Sequence, residues 1–239
     1  MSLLELSSVS RRFGGLMAVN GVSFSLEKGE ILGLIGPNGA GKTTIFNLIN
    51  GFFAPTSGRI LLAGQRIDGW KPHRVCRRGL ARTFQVVKPL ARLSVIENVM
   101  VSAYCRTSNR DEARAIAEET TAFTDMQEWR ASAAGSLPLG MRKRLEMARA
   151  LATRPQVLLL DENFAGLNPS EVDATIEIVR KIHAGGVTIL IIEHNMRVIM
   201  AISHRLICIN YGEKIAEGLP REVADNQQVI EAYLGVAHA

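Results

Sequence analysis

Hydrophobic and polar positions alternate early in the chain. Leu3, Leu4 and Leu6 open a short predicted strand, and Val22, Phe24 and Leu26 recur at every second position, the period of a half-buried strand. Residues 27–30 (Glu-Lys-Gly-Glu) read as a turn. Residues 31–35 (Ile-Leu-Gly-Leu-Ile) are an unbroken apolar run of strand length, which predicts a strand buried on both faces. A glycine-rich segment over residues 36–44 follows at once, and then a helical pattern through Ile49. Residues 58–67 predict a hairpin turning near Ala63 and Gly64.

The pattern changes near residue 92. Ser94-Val95-Ile96-Glu97 has the Ser-x-x-Glu spacing of a capping box ahead of an apolar run, so a helix is expected to start there. Residues 111–123, rich in Ala and Glu, and residues 142–151 predict two more helices. The stretch 92–150 therefore reads as a small helical subdomain inserted in an α/β core. Apolar runs of strand length return at 157–160 and 187–192, with a helical pattern over 170–183 between them. Residues 194–200 read as helical, 206–209 with 213–216 as a last hairpin, and 221–234 as a helix-like tail. Strands alternating with helices predict an α/β fold with parallel pairing.

Composition narrows the class. The chain has 239 residues, enough for one domain or one domain with an insertion. Hydrophobic residues make up 47% and aromatics only 5%, so the core is expected to be aliphatic. No apolar run approaches the roughly 18 residues that span a bilayer, and the first residues lack the basic and apolar regions of a secretory signal. Any work at a membrane is expected to go through a partner. Cys76, Cys105 and Cys208 are odd in number, widely spaced and without a Cys-x-x-Cys pair, which argues against a metal site or disulfide framework and fits a reducing compartment. The net charge of +5 fits either an anionic partner or basic groups spread over solvated faces. The densest basic stretch, residues 71–82, contains no recognisable RNA-binding motif.

The glycine-rich segment carries the chemistry. Gly36-Pro37-Asn38-Gly39-Ala40-Gly41-Lys42-Thr43-Thr44 matches the phosphate-binding loop pattern, with a predicted strand before it and a helix after. Glycines let the backbone wrap an anion, successive N–H groups point inward, and the helix N-terminus adds positive potential. Lys42 is expected to reach the outer phosphates, and Thr43 to offer its hydroxyl to Mg²⁺. The strand at 157–160 ends in Asp161 and Glu162. Two acids after a strand can simply cap a helix. Beside a phosphate loop they read instead as a Mg²⁺ carboxylate (Asp161) and a general base that orients water toward the γ-phosphate (Glu162).

Along nearly its whole length the sequence now resembles the nucleotide-binding subunits of ABC transporters. Thr83-Phe84-Gln85 resembles the Q-loop, whose glutamine touches Mg²⁺ or water and links the site to the membrane partner. His194, in Ile191-Ile192-Glu193-His194, is similar to the switch histidine that contacts the γ-phosphate, and Phe13 stands where the family stacks an aromatic on adenine. Taken singly, Gln85 could be a surface residue, His194 a structural group and Phe13 a core ring. Their order around the loop favours the functional roles.

Leu137-Pro138-Leu139-Gly140-Met141 falls where the family has Leu-Ser-x-Gly-Gln. Gly140 is kept for contact with nucleotide on an opposing subunit, while Pro138 and Met141 replace serine and glutamine. Ala165-Gly166-Leu167-Asn168 departs from Ser-Ala-Leu-Asp, and Asn163 stands where proline is frequent. Residues 12–19, 166–169, 192–196 and 229–235 resemble the ATPases of branched-chain amino acid importers.

The resemblance implies one ABC ATPase domain over residues 1–239. It would comprise an α/β core and an N-terminal antiparallel β subdomain (1–91 and 151–239) plus a helical subdomain near 92–150. It implies ATP and Mg²⁺ as ligands and a head-to-tail dimer with itself or a paralogue. It also implies transmembrane permease partners, an indirectly associated solute-binding protein, no nucleic acid, and a peripheral place on the cytoplasmic face of the inner membrane. Three other readings are an ATPase acting on nucleic acid or ribosomes, a non-hydrolysing regulatory partner, and an exporter subunit.

Overall fold

The structure is a computed structural model that describes residues 2–234. Gly235, the last residue of the match over 229–235, lies outside the described residues. The chain divides into two units, one made of the residues up to Val75 with those from Thr188 onward, the other running from Cys76 to Val187.

In the first unit, β1 (Ser2–Phe13) and β2 (Leu16–Glu27) pair antiparallel. β1 also pairs with β4 (Ser57–Leu62), which turns back into β5 (Gln65–Arg66). The turn lies at Ala63 (φ 48) and Gly64 (φ 72), as predicted; positive φ at both central residues matches the right-handed twist of the strands it joins. β1 is 12 residues long, not short. Irregular pairing between Leu6 and Val9, with Ser8 at φ 47, breaks its apolar alternation, and so the sequence shows only its first half.

The same unit holds a parallel group. β3 (Ile31–Ile35) pairs in parallel with β8 (Thr188–Ile192) and with β9 (Arg205–Asn210), and β10 (Glu213–Gly218) closes antiparallel on β9. Every residue of β3 and β8 is buried, which explains their unbroken apolar sequences. α1 (Lys42–Ile49) leaves the carboxyl end of β3. α7 (Met196–Ile202) begins later than expected, because Asn195 accepts the N–H of Val198 and caps it, so His194 lies outside the helix. The C-terminal tail is two helices, α8 (Pro220–Ala224) and α9 (Gln227–Leu234), rather than one.

The second unit contains β6 (Leu80–Arg82) parallel to β7 (Val157–Asp161). Both β6 and the preceding α2 (Pro72–Arg77) escaped the sequence reading, since each is short and lies in the basic stretch 71–82. α3 (Val95–Ala103), α4 (Arg110–Phe123) and α5 (Leu139–Leu151) share an apolar cluster that includes Val99, Ile116, Met126, Leu145 and Ala148. Ser94 and Glu97 make both halves of the expected capping box. Buried Asn98 accepts the Leu90 N–H and donates to the carbonyls of Leu90, Leu93 and Ser94, which pins the approach to α3. α6 (Pro169–Ala184) completes the unit. Cys76 and Cys105 are free thiols whose sulfurs lie 3.7 Å apart. Burial, and then the neighbouring Cys105, raise the Cys76 pKa, which keeps it a poor nucleophile.

Candidate functional site

The phosphate loop of the first unit leaves β3 at Gly36 and runs into α1. Gly36 has a φ of 146, and a Cβ there would meet the Ile209 carbonyl oxygen at 2.0 Å, so only glycine fits. Gly41 is the N-cap of α1; no side chain caps this helix and no acid sits in its first turn. With no carboxylate spent on it, the positive end of α1 suits an anion. Asn38, Gly39 and Thr43 are exposed, while Ala40 and Lys42 are buried. The Lys42 ammonium donates to the carbonyls of Gly36 at 2.7 Å and Pro37 at 2.8 Å. It is therefore folded onto its own loop, a few torsions from where a phosphate would sit.

Phe13 belongs to the same unit and is not a core ring. It is 36% exposed, meets Phe53 edge to face at 5.2 Å, and carries the Arg11 guanidinium over its ring at 4.6 Å. His194 is exposed on the segment between β8 and α7.

The second unit builds the acidic part. Asp161 ends β7, and its Oδ2 accepts Arg82 Nη2 at 2.7 Å; both side chains are only 4% exposed. An ion pair of this kind offsets part of the cost of taking both charges out of water. The Asp161 N–H donates to Thr83 Oγ1 at 3.2 Å, and the Thr83 hydroxyl donates on to the Asn163 side chain. Glu162 follows in the left-handed region, at φ 50. Strain of this kind on a residue with a Cβ costs about 1–3 kcal/mol and persists only where the surroundings hold it. Here Lys143 Nζ donates to the Glu162 carbonyl at 2.9 Å, and Gln85 Nε2 donates to its carboxylate Oε2 at 2.5 Å.

Gln85 and Glu162, assigned separate roles from sequence, are therefore in direct contact. Arg82, Thr83 and Lys143 were not singled out as functional. Thr83 opens the Thr83-Phe84-Gln85 motif without a role of its own, Arg82 immediately precedes it, and Lys143 lies one turn into the helix after Gly140, so only their place in or beside motifs hinted at them.

α5 starts at Leu139, three residues before the expected start at Arg142, with Pro138 as an N-cap that offers no side-chain acceptor. Gly140 and Met141 thus sit in the first turn, where N–H groups lack helix partners. A Cβ on Gly140 would meet Glu171 Oε1 at 2.5 Å, which gives the glycine a packing role within its own unit. Asn168 accepts the Glu171 N–H at 3.0 Å as the N-cap of α6. Asparagine and aspartate serve about equally there, so the uncharged residue keeps the local structure.

Comparison with known proteins gives the family. Residues 19–165 match the family model described as ABC transporter, and residues 213–239 match one described as branched-chain amino acid ATP-binding cassette transporter. The chain is 41% identical to the high-affinity branched-chain amino acid transport ATP-binding protein BraF of Pseudomonas aeruginosa, over 98% of each chain. It is 40% identical to LivG of Escherichia coli K12, described in the same words, again over 98% of each. Among solved structures, the ADP conformation of MJ1267, an ATP-binding cassette of an ABC transporter, superposes with a TM-score of 0.89 at 30% identity, covering 98% of this chain and 99% of that one. By fold and by sequence, the chain belongs to the ABC transporter family, as one of its α/β ATPase cassettes.

Proposed function

We propose that this chain is the ATP-hydrolysing subunit of a membrane importer for branched-chain or other amino acids. The observation that carries the reading is the end-to-end likeness to BraF and LivG, which takes in the phosphate loop, the acidic strand and the C-terminal stretch alike.

In the proposed site, Gly36 and Pro37 shape the loop, the N–H groups of residues 38–44 and the Lys42 ammonium cradle the ATP phosphates, and adenine stacks on Phe13. The oxygen donors assigned to Mg²⁺ are the Thr43 hydroxyl, the Gln85 amide and the Asp161 carboxylate. An all-oxygen set suits a hard divalent cation. When bound, Mg²⁺ supplies positive charge that offsets the charge of the phosphate oxygens. Glu162 takes the proton of the attacking water as its oxygen bonds to the γ-phosphorus and the bond to the ADP oxygen breaks, leaving ADP and inorganic phosphate. The Gln85 amide orients the Glu162 carboxylate, and Lys42 and His194 stabilise charge on the transferred group.

Two copies, or this chain and a paralogue, pair head to tail, so that Gly140 of the partner subunit faces the bound ATP. Binding closes the pair and hydrolysis reopens it. The Gln85 segment and the helical region near 92–150 pass that movement to transmembrane permeases, through a groove around residues 88–95, at the cytoplasmic face of the membrane. A solute-binding protein delivers the amino acid. Among the described residues no helix is long and apolar enough to cross a membrane, so the link to the bilayer is assigned to the permeases. Purification from membranes in mild detergent tests this reading. Polytopic permeases and a second ATPase are expected to come with the chain; ribosomes or nucleic acid without a membrane protein would contradict it.

A further inference from the structure

The C-terminal helix carries one polar contact that the proposed reaction leaves unused. Tyr233, near the end of α9, reaches back 197 positions along the chain, where its phenol oxygen accepts the Gly36 N–H at 2.8 Å. The residue as a whole is 44% exposed, but this hydrogen bond lies at its partly buried end. Burial, first among the causes, raises the Tyr233 pKa, so the phenol is neutral throughout the physiological range. Cys208, buried beside it, is pushed up to about 11 and is likewise neutral.

Gly36 is the peptide on which the loop turns. Its N–H is held by Tyr233 at 2.8 Å, and its carbonyl by the Lys42 ammonium at 2.7 Å. These two restraints differ in what nucleotide does to them. Lys42 has to leave the Gly36 carbonyl in order to reach a phosphate. The bond from Tyr233 sits on the opposite side of the same residue and involves no group that phosphate needs. Gly36 is itself buried, so without the phenol oxygen its N–H would lose its acceptor, at the desolvation cost that any orphaned buried donor carries.

We infer that Tyr233 is a positioning residue for nucleotide binding: its phenol oxygen fixes the Gly36 N–H and keeps the phosphate loop in its binding shape when Lys42 swings to the phosphates. This rests on the reading that residues 36–44 hold the phosphates. It gives the last helix a task inside the ATP site, and makes the strength of nucleotide binding depend on whether α9 is docked.

Tyr233→Phe is the sharpest variant, because the ring that remains keeps water from replacing the lost oxygen. Titration calorimetry with Mg-ADP is expected to show a Kd raised roughly three- to tenfold, the factor that one neutral hydrogen bond corresponds to. The KM for ATP should rise by the same factor, with kcat changed by less than about twofold. Tyr233→Leu, which also lacks the oxygen, should move both constants in the same direction. A role in folding alone would instead lower the melting temperature without nucleotide and leave Kd and KM where they are. Unchanged Kd and KM in Tyr233→Phe overturn the inference. Lys42→Ala is the control: if it binds Mg-ADP as well as the unaltered chain, the phosphate-loop reading itself fails, whereas if it abolishes binding and Tyr233→Phe has no effect, only the role of Tyr233 fails.

Discussion

Two glycines show how differently the same residue type can be used. At Gly36 the added Cβ of alanine would collide with a strand carbonyl, Ile209 O at 2.0 Å, and would hold a φ of 146. Neither can relax, so Gly36→Ala is expected to cost at least about 2 kcal/mol in stability and to abolish ATP binding, as read by thermal melting and calorimetry. At Gly140 the clash is with the carboxylate tip of Glu171, which can swing away. Gly140→Ala should therefore cost less than about 1 kcal/mol, keep ADP affinity in the single chain, and weaken ATP-dependent dimerisation seen by sedimentation. Equal effects of the two changes on ADP binding would contradict their separate roles. Residue identity in the phosphate loop was legible from sequence because the motif is contiguous. The Arg82–Asp161 pair and the hold of Lys143 on Glu162 were not, since those partners are brought together only by the fold.

At the scale of elements, local chemistry proved a good guide wherever it was strong. The runs at 31–35 and 157–160 announce buried strands because no polar residue interrupts them. Ser94 and Glu97 announce the start of α3 because both halves of the box are local. Ser94→Ala is expected to destabilise the chain by about 1 kcal/mol in a urea titration, with nucleotide affinity unchanged; no loss of stability would show that packing alone fixes the start of α3. Local signals misled where glycine or basic residues masked a short helix. The sequence predicts α5 only from Arg142, yet Pro138, at a φ of −63, sets the chain up to enter the helix at Leu139. The tail read as one helix, but Asn226 accepts the N–H groups of Gln228 and Val229 and starts α9 afresh after α8.

At the scale of the molecule, fold class was legible from the alternation of strands and helices around two motifs, and family membership follows from the full-length likeness. The contact between Tyr233 and Gly36 was not legible, because a hydrogen bond over 197 positions leaves no periodic trace. The proposed reaction takes its residues from motifs legible in the sequence: the phosphate loop, Gln85, Asp161 and Glu162.

Its central claim is that Glu162 is the general base of an ATPase. The most direct test measures steady-state Mg-ATP hydrolysis and ATP binding in the unaltered chain and in Glu162→Gln. The amide keeps the size of the carboxylate but takes no proton, so turnover should fall by roughly 10²–10⁴-fold, while ATP still binds and an ATP-dependent dimer accumulates. Turnover within a few-fold of the unaltered chain, with ATP bound equally well, would contradict the assignment.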